Sequence, residues 1–252
     1  DERSSFYGTA IATGDLKIDG PLDDIVMNIN AYTMPGTVID IGLTSSSSIN
    51  DNFIVFVNDD DNDTITAVVE KKNKDKKFTF NLNADITQDA RLNIHLPSNM
   101  GNITATGTGN IRLGLLLDQL SLYGDYIIDG GAFNFNLQNL VRRNFDIKKG
   151  GSITWTGKVD DADINITGSY RTKSSISSLG VELDSTSRVN NVNVDCILYL
   201  KEKLTNPTIT FGLALPNATD DIRNTVFSII DTTNQAVMSQ QIISLLVLGS
   251  FS

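Results

Sequence analysis

The chain has 252 residues, 40% hydrophobic and 20% charged, with 30 acidic residues against 20 basic ones and a net charge of −10. That length can bury a large core, and no apolar run approaches the roughly 20 residues a membrane helix needs. An acidic chain is unsuited to nucleic acid, which is held by releasing counterions to a basic surface, and the single cysteine, Cys196, excludes an internal disulfide.

The opening residues DERSSFYG lack the basic head and apolar body of a secretory signal. Strand-like alternation follows almost at once, so a piece of a longer chain is expected. Gly8, Ala10, Ala12, Gly14, Leu16, Ile18 and Gly20 form one face, with Thr9, Thr13, Asp15, Lys17 and Asp19 opposite. GPLDD turns the chain into a second row, Ile25, Met27, Ile29 and Ala31, and PGT at 35–37 leads to Ile39, Ile41 and Leu43. The run KKNKDKK, Lys71 to Lys77, reads as a charged turn between strands. Beyond it, Phe78, Phe80, Leu82, Ala84 and Ile86 alternate with Thr79, Asn81, Asn83 and Asp85.

The later rows are Ala90, Leu92, Ile94 and Leu96; Ile103, Ala105, Ile111 and Leu113; Leu120 and Leu122; and Phe133, Phe135 and Leu137. Asp129 to Gly131 reads as a turn joining two of them. In FDIKKGGSITWTG, Phe145 and Ile147 precede a break at Gly150 and Gly151, and Ile153 and Trp155 follow it on one face. Ile164 and Ile166, then Val192, Val194, Cys196 and Leu198, then Ile209, Phe211, Leu213 and Leu215 complete the series. A dozen or more strands, each dry on one face only, predict an all-β protein whose long antiparallel or solenoid-like sheet is covered on one side. After Pro216 the spacing becomes helical. Asn217 or Thr219 can cap a helix with Asp220 and Asp221 in its first turn, and a second helix runs from Gln235 to Leu248, ending at Gly249.

Residues that carry chemistry are scarce. His95 lies on a polar strand face without a second histidine or a cysteine cluster beside it, as a zinc site or triad would need. GTGN at 107–110 is too short for a phosphate loop. Asp160 and Asp161 form a pair in a turn, without sign of the enclosed cleft that glycosidase carboxylates require. Asp59, Asp61, Asp63 and Glu70 supply most of a calcium-loop ligand set. Against it, Thr64 stands where glycine makes the sharp turn, and Ile65, Ala67 and Val69 alternate as a strand. A solvated acidic turn is expected, with weak calcium binding as its alternative. No catalytic residue, other metal site or cofactor is expected.

Read together, Phe145, Gly151, Ser152, Ile153, Trp155, Gly157, Asp161, Ala162, Ile164, Ile166 and Tyr170 resemble the C-terminal domain of the TamB family, the translocation and assembly module protein of diderm bacteria. GDYIIDGGAFNFNL is similar to the strand pair before them, VDCILYLKEKLTNPTITFGLALP to the penultimate strands and QQIISLLVLGSF to the terminal helix. Lys158 and Val159 depart from the family's acidic-proline turn, and the asparagine-rich strands suggest a Bacteroidetes-like member.

The resemblance implies a sheet curled into a taco-shaped trough over residues 1–216, with a helical segment over 217–252. It implies phospholipid acyl chains carried between inner and outer membranes along an apolar interior. The implied lining is Phe78, Phe80, Leu82, Leu92, Ile94, Leu120, Leu122, Phe133, Phe135, Ile153, Trp155, Ile164, Ile166, Val194, Leu198, Phe211 and Leu213. It also implies a periplasmic location, an inner-membrane anchor outside this sequence, and a C-terminal end that docks an outer-membrane barrel of the TamA or BamA type through Ile242, Leu245, Leu246 and Phe251.

Alternation alone leaves two architectures open, since a closed sandwich core and an open trough produce the same pattern. In an open trough an aspartate at position 153 would stay solvated. Two other functions also remain. An assembly factor could bind unfolded outer-membrane strands at a sheet edge. A glycan-binding domain would need aromatics on the polar faces, where Tyr123 and Tyr199 are the few candidates.

Overall fold

Strands that are dry on one face only can be satisfied by joining one sheet and turning that face inward. A computed structural model describes residues 6–42, 77–116, 119–137, 141–158, 160–180 and 191–252, and its 13 strands form a single sheet. The N-terminal strands are β1 (Phe6–Thr9), β2 (Ala12–Asp19), β3 (Asp24–Thr33), β4 (Val38–Gly42), β5 (Lys77–Ile86) and β6 (Arg91–His95). The long central strands β7 (Gly101–Leu116) and β8 (Gln119–Leu137) follow, then β9 (Val141–Ile147), β10 (Ser152–Gly157), β11 (Ala162–Ser175), β12 (Asn191–Lys203) and β13 (Asn206–Ala214). Two helices, α1 (Asp220–Ile229) and α2 (Gln235–Leu248), close the chain. Thr219 is the cap of α1, its side chain accepting from the Ile222 amide, and Gly249 ends α2 in a left-handed conformation with φ 71°.

Several short strands are halves of one track. β3 and β4 pair with β5 and β6 at the same offset of 53 residues, so both halves keep one register across the break between them. These two pairings are parallel, within the antiparallel or solenoid-like sheet that the alternation predicts. A parallel pair needs a long crossover connection, and 43 residues, 34–76, separate the end of β3 from the start of β5. Amides on the outer face hold the register: Asn81 donates to Asn28 at 3.0 Å, Asn93 to Asp40 at 3.0 Å, and Asn110 to Asn83 and Asp85 at 3.1 and 2.7 Å.

The breaks fall on one line across the sheet, at Ile11, Met34–Thr37, Thr87–Ala90, Thr106/Gly107 and Lys148–Gly151. Pro35 has no N–H to give to a ladder. Buried Thr37 repairs the gap with its hydroxyl, which donates to the Ile11 carbonyl at 2.7 Å and accepts from the Ile11 amide at 3.0 Å. Asp129–Gly131 belongs to the same line. Rather than the expected turn between two rows, it is a bulge inside the continuous β8, with Gly107 opposite Ile128, Thr106 opposite Gly130, and Asp129 as the extra residue. Gly131 takes φ 154°, and the Asp129 carboxylate accepts from Gln88 Nε2 at 2.7 Å and lies 2.7 Å from Lys149 Nζ, tying three bends together.

The sheet curls. β13 is four steps from β8 in strand order, about 19 Å apart in a flat sheet. Yet the rings of Phe135 on β8 and Phe211 on β13 are 6.2 Å apart, edge to face. Phe133 and Phe145 join this cluster, and α2 lies against β13 and β9. The buried side chains of the helices, including Val226, Met238 and Ile242, share one core with the strands.

Candidate functional site

Cross-strand register identifies the residues that share the inner face. One row runs Leu16, Ile29, Leu82, Leu113 and Leu122, each directly paired with the next. A second runs Ile18, Met27, Phe80, Leu115 and Leu120. Exposure falls along the first from 58% at Leu16, through half-buried Ile29, Leu82 and Leu113, to 6% at Leu122. The same apolar face thus begins in solvent at β2 and ends inside the core at β8. β2 is exposed at every position because nothing lies over it among the described residues.

The candidates from the sequence divide along this gradient. Phe78, Phe80, Leu82, Leu120 and Leu213 are half-buried. Leu92, Ile94, Leu122, Phe133, Phe135, Ile153, Trp155, Ile164, Ile166, Val194, Leu198 and Phe211 are buried in the one core. Ile153 is 0% exposed, so an aspartate there could not stay solvated as an open wall would allow. Curling of the later strands around one shared core removes that water. Leu16 and Ile18 were legible as an apolar row, and the structure adds them to the open end of this face.

Two inner-face residues carry polar groups that the sequence reading passed over. Tyr126 pairs with Ile153 in register, and its hydroxyl is buried without a partner among the described residues. Burial, reinforced by the Asp129 charge, raises the Tyr126 pKa well above the ordinary phenol range. Arg143 stands in step with Val141, Phe145 and Ile147. A charged residue at a dry position of an alternating strand was the signal for it.

The four docking candidates, Ile242, Leu245, Leu246 and Phe251, are buried in the chain's own core. Val247 and Leu248 are the apolar side chains that the end of α2 leaves exposed, Leu248 at 73%. Gln241 fastens the chain end, donating to the Ser252 carbonyl at 2.8 Å and accepting from its amide at 3.1 Å.

Chemistry on side chains is sparse. The Cys196 thiol is fully buried, and burial first, then the neighbouring Asp195 charge, pushes its pKa up to about 12. His95 Nε2 lies 3.6 Å from Asp40 Oδ1 on the outer side. The calcium candidates Asp59, Asp61, Asp63 and Glu70 lie outside the described residues, and among the described residues no cluster of His, Cys, Asp or Glu could hold a metal ion. A model of the TamB C-terminal domain matches residues 1–252, the whole chain. The chain belongs to the TamB family. Comparison with curated proteins finds no match. TamB proteins are envelope proteins of the translocation and assembly module, not a known enzyme family, and they work with a BamA-type barrel, TamA. No helix among the described residues of this TamB domain is long and apolar enough to cross a membrane.

Proposed function

We propose that the inner face of this TamB domain carries the acyl chains of phospholipids between inner and outer membranes. The observation that supports the reading is the row from Leu16 to Leu122, a continuous apolar surface that is open at one end and buried at the other. Each CH₂ kept from water is worth about 0.8 kcal/mol, so an acyl chain laid on such a wall gains on the order of 10 kcal/mol over solvent. No bond is made or broken, consistent with an inner face that offers hydrocarbon and few reactive groups. In this reading the chain is periplasmic, anchored at the inner membrane by sequence outside these residues. Its C-terminal end meets the outer-membrane barrel. Ile242, Leu245, Leu246 and Phe251 hold α2 in place, while Val247 and Leu248 offer the barrel apolar surface.

A second reading, strand-edge binding of unfolded barrel proteins, draws on β2, an edge strand exposed at every position. Photo-crosslinking separates the two. A crosslinker at Leu82, on the inner face, is expected to capture phospholipid in native membranes. The same group at Asn81, on the outer face, is expected to capture none. Polypeptide adducts along β2, with no lipid adduct at Leu82, would favour edge binding and sink the lipid reading.

A further inference from the structure

The inner row of β9 contains one misfit. Val141, Arg143 and Phe145 face the same way, paired with Leu137, Phe135 and Phe133 of β8, so a guanidinium stands among apolar side chains. Arg143 Nη1 donates to the Arg142 carbonyl at 3.1 Å, and its Cζ lies 5.8 Å from the centroid of the Tyr170 ring, which fixes the plane of the group. Nε is buried and has no partner among the described residues. Acids outnumber bases 30 to 20 in this chain, yet none among the described residues pairs with Arg143. The ion pairs among the described residues are made by Lys17, His95, Lys149, Arg171, Lys203 and Arg223. On β11, whose Tyr170 meets the guanidinium, the inner row turns from Ala162, Ile164 and Ile166 to Tyr170, Thr172 and Ser174. Ser174 is 3% exposed, and its hydroxyl also lacks a partner among the described residues.

A guanidinium can only donate, and a serine hydroxyl without a partner is free to do so. An orphan donor on a positive charge calls for an anionic acceptor, and planar guanidinium groups suit phosphate in particular. The apolar residues around Arg143 call for an acceptor joined to a hydrocarbon body. We propose that Arg143, with Tyr170 and Ser174, receives the phosphodiester of a phospholipid at this end of the inner face. The inference rests on the lipid-carrying reading and adds to it the place where the head group is held. Acyl chains alone carry no direction, and a fixed charge at one end would orient the lipid.

The test compares dihexanoylphosphatidylglycerol with dihexanoylglycerol, which has the same chains and no phosphate, by titration calorimetry on the full chain. Wild type is expected to bind the phospholipid about tenfold more tightly. Arg143→Gln should remove most of that preference and leave diacylglycerol affinity unchanged, and Arg143→Lys should restore part of it. A folded Arg143→Gln protein that keeps the wild-type preference overturns the head-group assignment while leaving the lipid-carrying reading standing. Wild type that binds neither lipid removes that reading itself. Inorganic phosphate that displaces the phospholipid at equal concentration would mark a site for free anions and overturn the proposal. If Arg143→Gln does not fold, Ser174→Val decides. It removes a buried, unpartnered hydroxyl and should melt no lower than wild type. About a threefold loss of phospholipid affinity supports the assignment, and unchanged affinity overturns it.

Discussion

Leu16 on β2 and Ile153 on β10 occupy equivalent places, each an apolar side chain on the inner face of a strand with polar outer neighbours. One is 58% exposed and the other 0%. The difference arises from what lies over each strand. Around β10, the sheet has curled until β13 faces β8, and α2 is laid against β13 and β9. Around β2 and β3, among the described residues, the sheet has only its hydrogen-bonded neighbours. One sheet therefore holds a packed lobe that behaves as a core and an open wall that behaves as a surface. The wall is the part of the face open to an acyl chain.

The largest test of this contrast is Ile153→Asp. A buried, unpaired carboxylate costs several kcal/mol, a large share of the stability of an ordinary domain. The expected outcome is loss of the cooperative thermal transition. A normal melt would mean that the lobe is open. The next test is truncation of an aromatic in each region. Phe145→Ala removes a fully buried ring that fills the space left by Gly168, with an expected loss of about 3–5 kcal/mol in urea unfolding. Phe80→Ala removes a half-buried ring from the wall and should cost about 1–2 kcal/mol. Equal costs would erase the distinction.

Cys196 gives a gentler reading of the lobe. Its folded pKa is raised from 9.0 to about 12 by burial. The unfolded chain therefore loses this proton first, and the stability it contributes is complete below about pH 9 and is lost as pH rises towards 12. Compared with Cys196→Ala, wild type should lose an additional amount of about 0.8 kcal/mol by about pH 9.5, read from urea midpoints. Native protein should also resist thiol labelling at pH 8. Rapid labelling would place Cys196 at a surface. The smallest effect is expected at Leu16→Asp, within about 0.5 kcal/mol of wild type by thermal melt. A large loss there would show that β2 is covered in solution.

Much of the fold was legible from period-two alternation, because a strand's side chains must point to opposite faces wherever the strand goes. The helices were legible as well. The Thr219 cap and the Gly249 stop are local devices that act within a few residues of themselves. The bulge at Asp129 was not. Asp-Gly-Gly favours a turn locally, and only its pairing with Thr106 and Gly107 makes it an extra residue within a continuous strand. The parallel register of β3 with β5 was hidden for the same reason, since it depends on partners 53 residues apart.

By itself the sequence determined which residues share a face, where α2 starts and stops, and the family, since these follow from neighbours along the chain and from motif content. Only the tertiary structure decided which part of the apolar face is wall and which is core. The same is true of the docking candidates on α2, whose seat in the core comes from packing on β13 and β9. Alternation specifies a dry face without specifying its cover. Cover comes from curvature, which accumulates over many strand-to-strand steps and brings Phe135 and Phe211 together across a distance that no local pattern encodes.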